Sequence, residues 1–216
     1  MENNPLKTER TKVKRVPKRG LYDAQSIFDI LDSASICHLA FNYQGQAYAM
    51  PILYGRDKNF LYLHGATTSR MLTTIVNNSA CLTVTLIDGL VLARSAFHHS
   101  MNYRSVVLLG CPQLVESEEE KLLGLKAISE HLIKGRWDEV RAPNAKEMKA
   151  TSVLKFPIEE GSAKVRAEGV KDERADYQLD IWAGIIPVAL NASTPIPDEQ
   201  LSADIPIPNS VKNYML

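Results

Sequence analysis

The 216 residues are 45% hydrophobic, which is enough to build a packed core of ordinary domain size. Lysine plus arginine and aspartate plus glutamate number 25 each, so no net charge attracts nucleic acid or an anionic membrane. Cys37, Cys81 and Cys111 are widely spaced in apolar sequence, which favours buried reduced thiols over a disulfide framework or a zinc site. There is no signal-peptide core, and no apolar run reaches the roughly 18 residues of a membrane span. We therefore expect a soluble, cytoplasmic protein with neither nucleic acid nor membrane as a partner.

The first twenty residues are predicted to form a basic arm. Residues 5–19 hold seven basic side chains against Glu9 and almost no apolar ones. Contact with nucleic acid is one interpretation. Because no aromatic residue is interleaved with the charges, we favour a solvated arm that lies on the domain or on a partner subunit.

The first predicted elements are a short helix and a β-hairpin. Asp23 is a typical N-cap, and apolar residues follow it at helical spacing. Residues 36–43 alternate between apolar and polar, as in a half-buried strand, and Gln44-Gly45 supplies a turn into a second strand over 47–54. A third strand is expected over 60–64.

The stretch "LHGATTSRML", residues 63–72, places Ser69 and Arg70 where this third strand gives way to a helix. The first turn of a helix has free N–H groups and a partial positive charge, so it attracts anions such as phosphate. The plainer interpretation is that Ser69 caps the helix and Arg70 is solvated.

The second half of the chain is predicted to alternate short strands with one longer helix. Residues 80–93 indicate two strands joined by a hairpin at Asp88-Gly89. Residues 102–115 indicate a further strand. Residues 152–169 indicate one last long strand, either continuous or interrupted at Pro157. The acidic run 116–120 begins a helix with four apolar residues on its core face: Leu122, Leu125, Ile128 and Leu132.

About six strands with short turns and two or three helices predict a mainly antiparallel β fold, an α+β barrel rather than a doubly wound parallel sheet. We divide the chain into the arm (1–20), one domain (21–190) and an irregular, proline-containing tail (191–216).

Five stretches in this order resemble the flavin-nucleotide-binding split barrels related to pyridoxamine 5'-phosphate oxidase. They are "AMPILYG", "LHGATTSRML", "LVLARSAFHHSMNYRSVVLLG", "SAKVRAEG" and "DIWAGIIPV", and the resemblance extends from about Arg10 to Pro187. It implies an antiparallel six-stranded split β-barrel with flanking helices. It also implies FMN as the cofactor and a homodimer with flavin sites at the subunit interface.

The resemblance implies ten cofactor-binding positions, which are Ile52, Leu53, Tyr54, His64, Gly65, Ser69, Arg70, Met71, Ser105 and Trp182. Ser69 and Arg70 would hold the phosphate, and a hydroxyl with a forked guanidinium suits a dianion. The backbone of residues 52–54 would follow the flavin ring. Each position also has a structural interpretation: a helix cap, strand packing, a structural histidine, or a core or interface tryptophan.

The stretch from 98 to 104 is a candidate lining for a substrate pocket, with His98, His99 and Arg104 as the candidate residues. Adjacent histidines in a strand point to opposite faces, so they are poor ligands for a single metal ion. We predict no metal site. Which histidine faces the pocket is left open.

Departures from the family pattern argue against a true pyridoxamine phosphate oxidase. Met71 and Tyr54 stand where those oxidases have lysine, and "AGIIPVALN" lacks their arginines. The sequence therefore predicts an FMN-dependent oxidoreductase that exchanges electrons with an unassigned small molecule, with no catalytic base assigned. The alternatives are a non-catalytic flavin carrier or sensor, and a haem-binding split barrel with histidine ligands.

Overall fold

The computed structural model describes residues 6–214, which fold around one antiparallel sheet. Its strands are β1 (Gly20–Leu21), β2 (Ile36–Tyr43), β3 (Gln46–Asp57), β4 (Phe60–Ala66), β5 (Ala80–Leu92), β6 (Ser100–Gly110), β7 (Gln113–Leu114), β8 (Thr151–Pro157), β9 (Gly161–Arg166) and β10 (Gly184–Pro187). Its α-helices are α1 (Ala24–Asp32), α2 (Arg70–Ile75), α3 (Glu118–Leu132), α4 (Ala145–Ala150) and α5 (Asn209–Lys212). Short 3₁₀ helices cover Pro17–Arg19, Ala96–His98, Trp137–Glu139 and Asp176–Gln178.

The strands follow the order β1-β9-β6-β5-β2-β3-β4-β8-β7, and β10 pairs with the far end of β5. Every strand pair is antiparallel. The prediction of a mainly antiparallel β fold with flanking helices is confirmed. The strand count of six was too low, and no pairing within residues 6–214 closes the sheet into a barrel.

The β2–β3 hairpin forms as the sequence predicts. Gln44 and Gly45 have φ of 51° and 81°, and β2 pairs with β3 from Tyr43–Gln46 onward. Two positive φ angles match the right-handed twist of the flanking strands. This local turn fixes the register of the hairpin.

One other strand prediction was wrong because a partner distant in sequence decides the outcome. No hairpin forms at Asp88-Gly89: β5 continues through a bulge there, and β10 pairs with its extension. The strand expected over 152–169 is interrupted at Pro157, as the sequence allowed, and forms two strands, β8 and β9. The chain turns between them, with Ile158 N–H donating to Asn59.

The core lies between α1 and the inner face of the sheet. The carboxylate of Asp23 accepts from Ser26 N–H at 2.8 Å, and the predicted apolar face of α1 is buried. On the other side, α3 packs directly on β3 at Gly55. A Cβ added there would lie 2.4 Å from backbone atoms of Ala127 and Ile128.

The buried face of α3 agrees only in part with the one predicted. Gly124 and Ile128 are buried, whereas Leu122 and Leu132 are exposed. A Cβ on Gly124 would meet the Tyr62 ring at 2.6 Å, so this glycine lets the helix approach the sheet closely. The helix therefore contacts the sheet through Gly124 and Ala127 together with the predicted Leu125 and Ile128.

The described part of the basic arm lies on the domain. Leu6 is buried in the core, Arg10 forms an ion pair with Glu160, and Thr11 is buried. At the other end of the chain, α5 is joined to the domain through Ser210, which donates to Glu139 from both its amide and its hydroxyl. Neither terminus is a detached segment over its described residues.

Cysteine burial follows the prediction only in part. Cys37 is buried, Cys81 is half-buried and Cys111 is exposed, and all three are free thiols. Burial raises the pKa of Cys37 to about 12. Within residues 6–214, no helix has the length and apolar character needed to span a bilayer.

Candidate functional site

The unpaired edges of β3 and β4 form a fork in the sheet. The two strands pair with each other only over residues 54–57 and 60–63. Beyond this point, residues 46–53 pair with β2 and residues 64–66 with β8, and no strand in the described chain pairs with their other edges. We call these two edges the β3–β4 fork. Unpaired main-chain groups on such edges are free to hydrogen-bond with a ligand.

Gly65 lies in the fork where α2 packs closely against it. A Cβ at this position would lie 2.9 Å from Leu72 Cδ1 and 3.9 Å from Ser69 Cβ. A side chain there would push against the buried side chain of Leu72, so glycine lets this leucine of α2 pack directly against the fork.

His64 precedes this glycine and has an unpartnered polar atom. Its Nδ1 is buried with no hydrogen-bond partner in the described chain, and burial lowers the pKa of the imidazole. The ring is therefore neutral near pH 7. A neutral imidazole has one nitrogen lone pair free for a proton donor or a metal.

Ser69 and Arg70 stand at the start of α2, as the sequence predicts. Ser69 caps the helix, and its Oγ accepts from Leu72 N–H at 3.4 Å. Arg70 is exposed and forms no ion pair with any described carboxylate. The capping interpretation of Ser69 is thus realised, and the charge of Arg70 stays available to an anion.

The guanidinium of Arg70 lies over two tyrosine rings. Its Cζ is 5.3 Å from the ring centres of both Tyr43 and Tyr48, which flank the β2–β3 turn. Tyr48 in turn stacks on Phe41 at 5.6 Å. These tyrosines were not singled out from the sequence. The predicted turn at Gln44-Gly45 would have set Phe41 opposite Tyr48, but nothing local pointed to Arg70.

Of the three predicted positions on β3, only two border the fork. Ile52 and Leu53 are half-buried and lie in the part of β3 whose edge borders the fork. Tyr54 is fully buried, pairs with Leu63, and donates its hydroxyl to the carbonyl of Leu31. Its side chain is therefore part of the core. Met71 also packs partly against the core.

The remaining predicted cofactor positions lie elsewhere in the chain. Ser105 is on β6, three strands from β3, and donates to the carbonyl of Lys164 at 3.2 Å. Trp182 precedes β10 with 68% of its surface exposed. One copy of the chain therefore does not bring these two residues to the fork.

The three pocket candidates also lie away from the fork, in or next to β6. His98 ends a 3₁₀ helix and His99 caps it, so the expected placement of both on a strand was wrong. His99 Nδ1 accepts from Ala93 N–H at 3.0 Å, which fixes that ring. Arg104 is held by Asp88 at 2.8 Å. His98 Nε2 lies 3.7 Å from Glu173, so each of the three side chains already has a polar partner.

A large cavity that the sequence did not predict lies beside α3. Its volume is about 1750 Å³, and its walls come from α3, the ends of α1 and β3, the middle of β5, and residues 188–190 and 210–214. Two ion pairs, Arg56–Asp32 and Arg104–Asp88, line it. Because its walls come from segments distant in sequence, no local pattern could reveal it. It contains none of the fork residues.

No cluster of three or more histidine, cysteine, aspartate or glutamate side chains in residues 6–214 could hold a metal ion. A single-histidine ligand to a prosthetic group is a different case, since that group supplies the other ligands itself.

Comparison with protein families decides what this fold is. The model of the pyridoxamine 5'-phosphate oxidase family matches residues 23–165, which include β2 to β6, the fork and α2. The chain belongs to this family.

Two solved structures resemble the chain over nearly its whole length. One is the flavocytochrome Anf3 from Azotobacter vinelandii, with 35% identity, coverage of 96% of this chain and 97% of that one, and a TM-score of 0.91. The other is the FAD and haem binding protein from Mycobacterium smegmatis, with 31% identity, coverage of 90% and 96%, and a TM-score of 0.86. A search of the curated proteins found no significant match.

Membership of the pyridoxamine 5'-phosphate oxidase family does not by itself give the substrate. The resemblance expects lysine at two positions that this chain fills with Tyr54 and Met71. The buried hydroxyl of Tyr54 and the partly buried Met71 leave no cation there. Within this family, the chain keeps the arginine at the start of α2 and lacks those two lysines.

Proposed function

We propose that this protein is a flavin-binding redox protein that also binds haem. The observation that carries the proposal is the 35% identity over 96% of the chain to a protein described as a flavocytochrome. The second relative, described as an FAD and haem binding protein, supports the same conclusion. Of the functions weighed from the sequence, haem binding is therefore favoured over flavin chemistry alone.

The β3–β4 fork suits a flavin nucleotide. Arg70 offers an exposed guanidinium with no carboxylate partner in the described chain, at a helix start that also exposes Thr67 and Thr68. A guanidinium binds phosphate oxygens through paired hydrogen bonds. We assign the flavin phosphate to Arg70, and we expect Ser69 to hold the helix start in place.

The unpaired edge of residues 46–53 suits the flavin ring. An isoalloxazine edge carries both donors and acceptors, and a free strand edge presents both kinds of group in alternation. We assign the ring to Ile52 and Leu53, with Gly65 across the fork. A bound flavin would supply one- and two-electron transfer, while these groups bind and orient it.

We propose FAD as the flavin, in place of the FMN that the family resemblance implies. The reason is that the second relative is described as binding FAD. Release of the flavin by denaturation, followed by chromatography against both standards, separates the two.

For the haem, we propose His64 as the iron ligand. Among the five histidines, all of which lie in the described chain, His64 alone has a buried ring nitrogen without a hydrogen-bond partner. Burial also lowers the pKa of its imidazole, so the ring is held in the neutral form that ligates iron. A bound haem would supply one-electron transfer.

We further propose that two copies of the chain assemble and that the flavin exchanges electrons with a small molecule. The family resemblance implies a flavin site shared by two subunits, so we assign Ser105 and Trp182 of one copy to the fork of the other copy. A non-catalytic carrier remains the contrasting outcome, in which bound flavin is never reoxidised by a panel of acceptors.

The absorption spectrum of protein purified after expression with added haem precursor and riboflavin tests the proposal. We expect flavin bands and a Soret band together. Flavin bands without a Soret band would support flavin binding and contradict haem binding. The absence of both sets of bands would contradict the whole proposal.

The matched variants His64→Ala and His38→Ala then test the ligand. His38 is exposed on β2, and its side chain, like that of His64, makes no hydrogen bond in the described chain, which makes it the control. We expect the Soret band to be lost or shifted only in His64→Ala, with the flavin bands kept in both. Loss only in His38→Ala would move the ligand to β2.

A further inference from the structure

The unpaired edge of β3 extends well beyond the two residues assigned above to the flavin ring. Within the described chain, no strand pairs with this edge from residue 46 to residue 53. Tyr48 lies nearer the β2–β3 turn than Ile52, about 13 Å along a strand that rises about 3.3 Å per residue. Main-chain groups over residues 46–49 are therefore free to bind a ligand at the end of the fork that is farther from the ring.

Arg70 lies between the ring end of the fork and the β2–β3 turn. Its guanidinium is 5.3 Å from the ring centre of Tyr48 and equally far from that of Tyr43, which pairs with Gln46 beside the turn. A flavin whose ring lies at residues 52–53 and whose phosphate lies at Arg70 directs any group attached to that phosphate toward Tyr43. FMN has no such group, whereas FAD carries adenosine monophosphate there.

The ring of Tyr43 can stack on a planar group. Tyr43 is half-buried, and the guanidinium of Arg70 lies over its ring. Its one aromatic neighbour in the described chain is Tyr48, which it meets edge to face with the ring centres 6.4 Å apart. Tyr48 differs, because it is already stacked on the buried Phe41. No aromatic ring in residues 6–214 stacks face to face on Tyr43.

The charges around Arg70 suit a ligand with two phosphates. Residues 33–55, which contain β2, the turn and the unpaired stretch of β3, include no lysine, arginine, aspartate or glutamate. Residues 59–79, which contain β4 and α2, include Arg70 as their single such residue. No carboxylate from either segment therefore repels a pyrophosphate at Arg70, and the hydroxyls of the exposed Thr67 and Thr68 can donate to it.

We propose that Tyr43 and the adjoining free edge of β3 bind the adenosine monophosphate half of FAD. Tyr43 stacks on the adenine, and Arg70 binds the pyrophosphate. The free main chain of residues 46–49 offers both donors and acceptors to the polar edge of the base, which also carries both. This inference rests on the proposed flavin binding, and it identifies the residue that selects FAD over FMN.

The test measures the dissociation constants of FAD and FMN by titration of the apoprotein. Tyr43→Leu removes the aromatic ring, and Tyr43→Phe keeps it. Tyr22→Leu is the matched control, because Tyr22 is also half-buried beneath a cation, Lys7, and directly follows β1, five strands from β3. We expect wild type to bind FAD at least tenfold more tightly than FMN. We expect Tyr43→Leu to weaken FAD binding about tenfold and FMN binding less than twofold.

The ratio of the two dissociation constants distinguishes stacking from a merely structural role. Because Arg70 also lies over Tyr43, a variant that only displaced the guanidinium would weaken FAD and FMN binding alike. We expect Tyr43→Phe and Tyr22→Leu to change the ratio less than twofold. Equal losses of FAD and FMN affinity in Tyr43→Leu would overturn the proposal.

Competition with ADP tests the same contact in wild-type protein. ADP carries the adenine, the ribose and two phosphates of FAD without the flavin ring. We expect ADP to compete with FAD for the apoprotein, and to bind Tyr43→Leu about tenfold more weakly than wild type. If ADP binds FAD-loaded protein as tightly as apoprotein, its site lies apart from the flavin and the proposal is overturned.

The outcomes separate this inference from the proposed function. Wild-type protein that binds FMN as tightly as FAD overturns the adenine contact and leaves flavin binding intact. Apoprotein that binds ADP through Tyr43 and binds neither FMN nor FAD contradicts the proposed function and leaves the adenine contact in place.

Discussion

The guanidinium of Arg70 lies 5.3 Å from the ring centre of Tyr48, so a cation–π contact joins α2 to the stretch of β3 that borders the fork. Such a contact contributes about 0.5–1 kcal/mol at an exposed site. The contact fixes the direction of the guanidinium while leaving its N–H groups free, because it uses the face of the charged group rather than its hydrogen bonds.

Arg70→Ala is expected to weaken flavin binding by about 1.5–3 kcal/mol, the range for hydrogen bonds to charged groups. Titration of apoprotein with flavin, followed by fluorescence quenching, measures the change. Arg15→Ala is the matched control, since Arg15 is also exposed and without an ion pair in the described chain. Equal flavin affinity of wild type and Arg70→Ala would contradict the assignment of the flavin phosphate to Arg70.

Gly55→Ala is expected to destabilise the fold by about 1–3 kcal/mol, the usual cost of overpacking. The reason is that its Cβ would lie 2.4 Å from the backbone of α3, which cannot yield as a flexible side chain can. Urea unfolding gives the free energy. Gly169→Ala is the control, because a Cβ there meets nothing within 4 Å. If both variants unfold alike, the tight packing of α3 on β3 is wrong.

The fold could be predicted where its determinants are local. The turn at Gln44-Gly45 and the cap at Asp23 are set by residues next to each other, and both form as predicted. Asp88-Gly89 is an equally good turn sequence, yet β5 runs through it because β10, almost 100 residues later in the chain, pairs with its extension. Pairing between distant segments overrides a local turn signal.

The same difference between local and distant determinants decides which residues of the candidate site could be predicted. Ser69 and Arg70 were found because a helix start and its first residues are adjacent in sequence. Tyr43 and Tyr48 were missed as partners of Arg70, because only the fold brings the hairpin to α2. Ser105 and Trp182 were grouped with the flavin by resemblance alone, and a single chain does not place them at the fork.

Stability is expected to fall as the pH drops below about 6.5, the ordinary pKa of histidine, in part because of His64. Burial lowers the pKa of His64 in the folded state. Between the folded and unfolded pKa values the unfolded chain binds more protons, so the free energy of unfolding decreases as the pH falls through this window.

The measurement is urea unfolding of the apoprotein at several pH values between 7.5 and 5.5. His64→Gln should show a smaller decrease over this range than wild type, whereas His38→Gln on exposed β2 should follow wild type. An unchanged slope in His64→Gln would mean that the imidazole is not held neutral by burial.

The final prediction concerns the reaction for which the family is named: we expect no oxidation of pyridoxamine 5'-phosphate at an enzymatic rate. The phosphate of that substrate needs its own cations in addition to those that hold the flavin phosphate. Tyr54 stands where the resemblance expects a lysine, and its hydroxyl donates to the carbonyl of Leu31. The stretch "AGIIPVALN", residues 183–191, also lacks the arginines that the resemblance expects after the tryptophan. A flavin held by Arg70 would therefore have no cationic side chains at these positions to bind the substrate phosphate.

The assay follows pyridoxal phosphate formation by flavin-loaded protein, with a true pyridoxamine phosphate oxidase as the positive control. Reduction of the bound flavin by NADH, NADPH or dithionite, and its reoxidation by a panel of small acceptors, are measured on the same sample. If the flavin is reduced and reoxidised but no pyridoxal phosphate forms, the bound flavin is active and its substrate is a different molecule, as predicted. Pyridoxal phosphate formed at a rate near that of the control would contradict the prediction, because it would require a phosphate-binding site that does not use these positions.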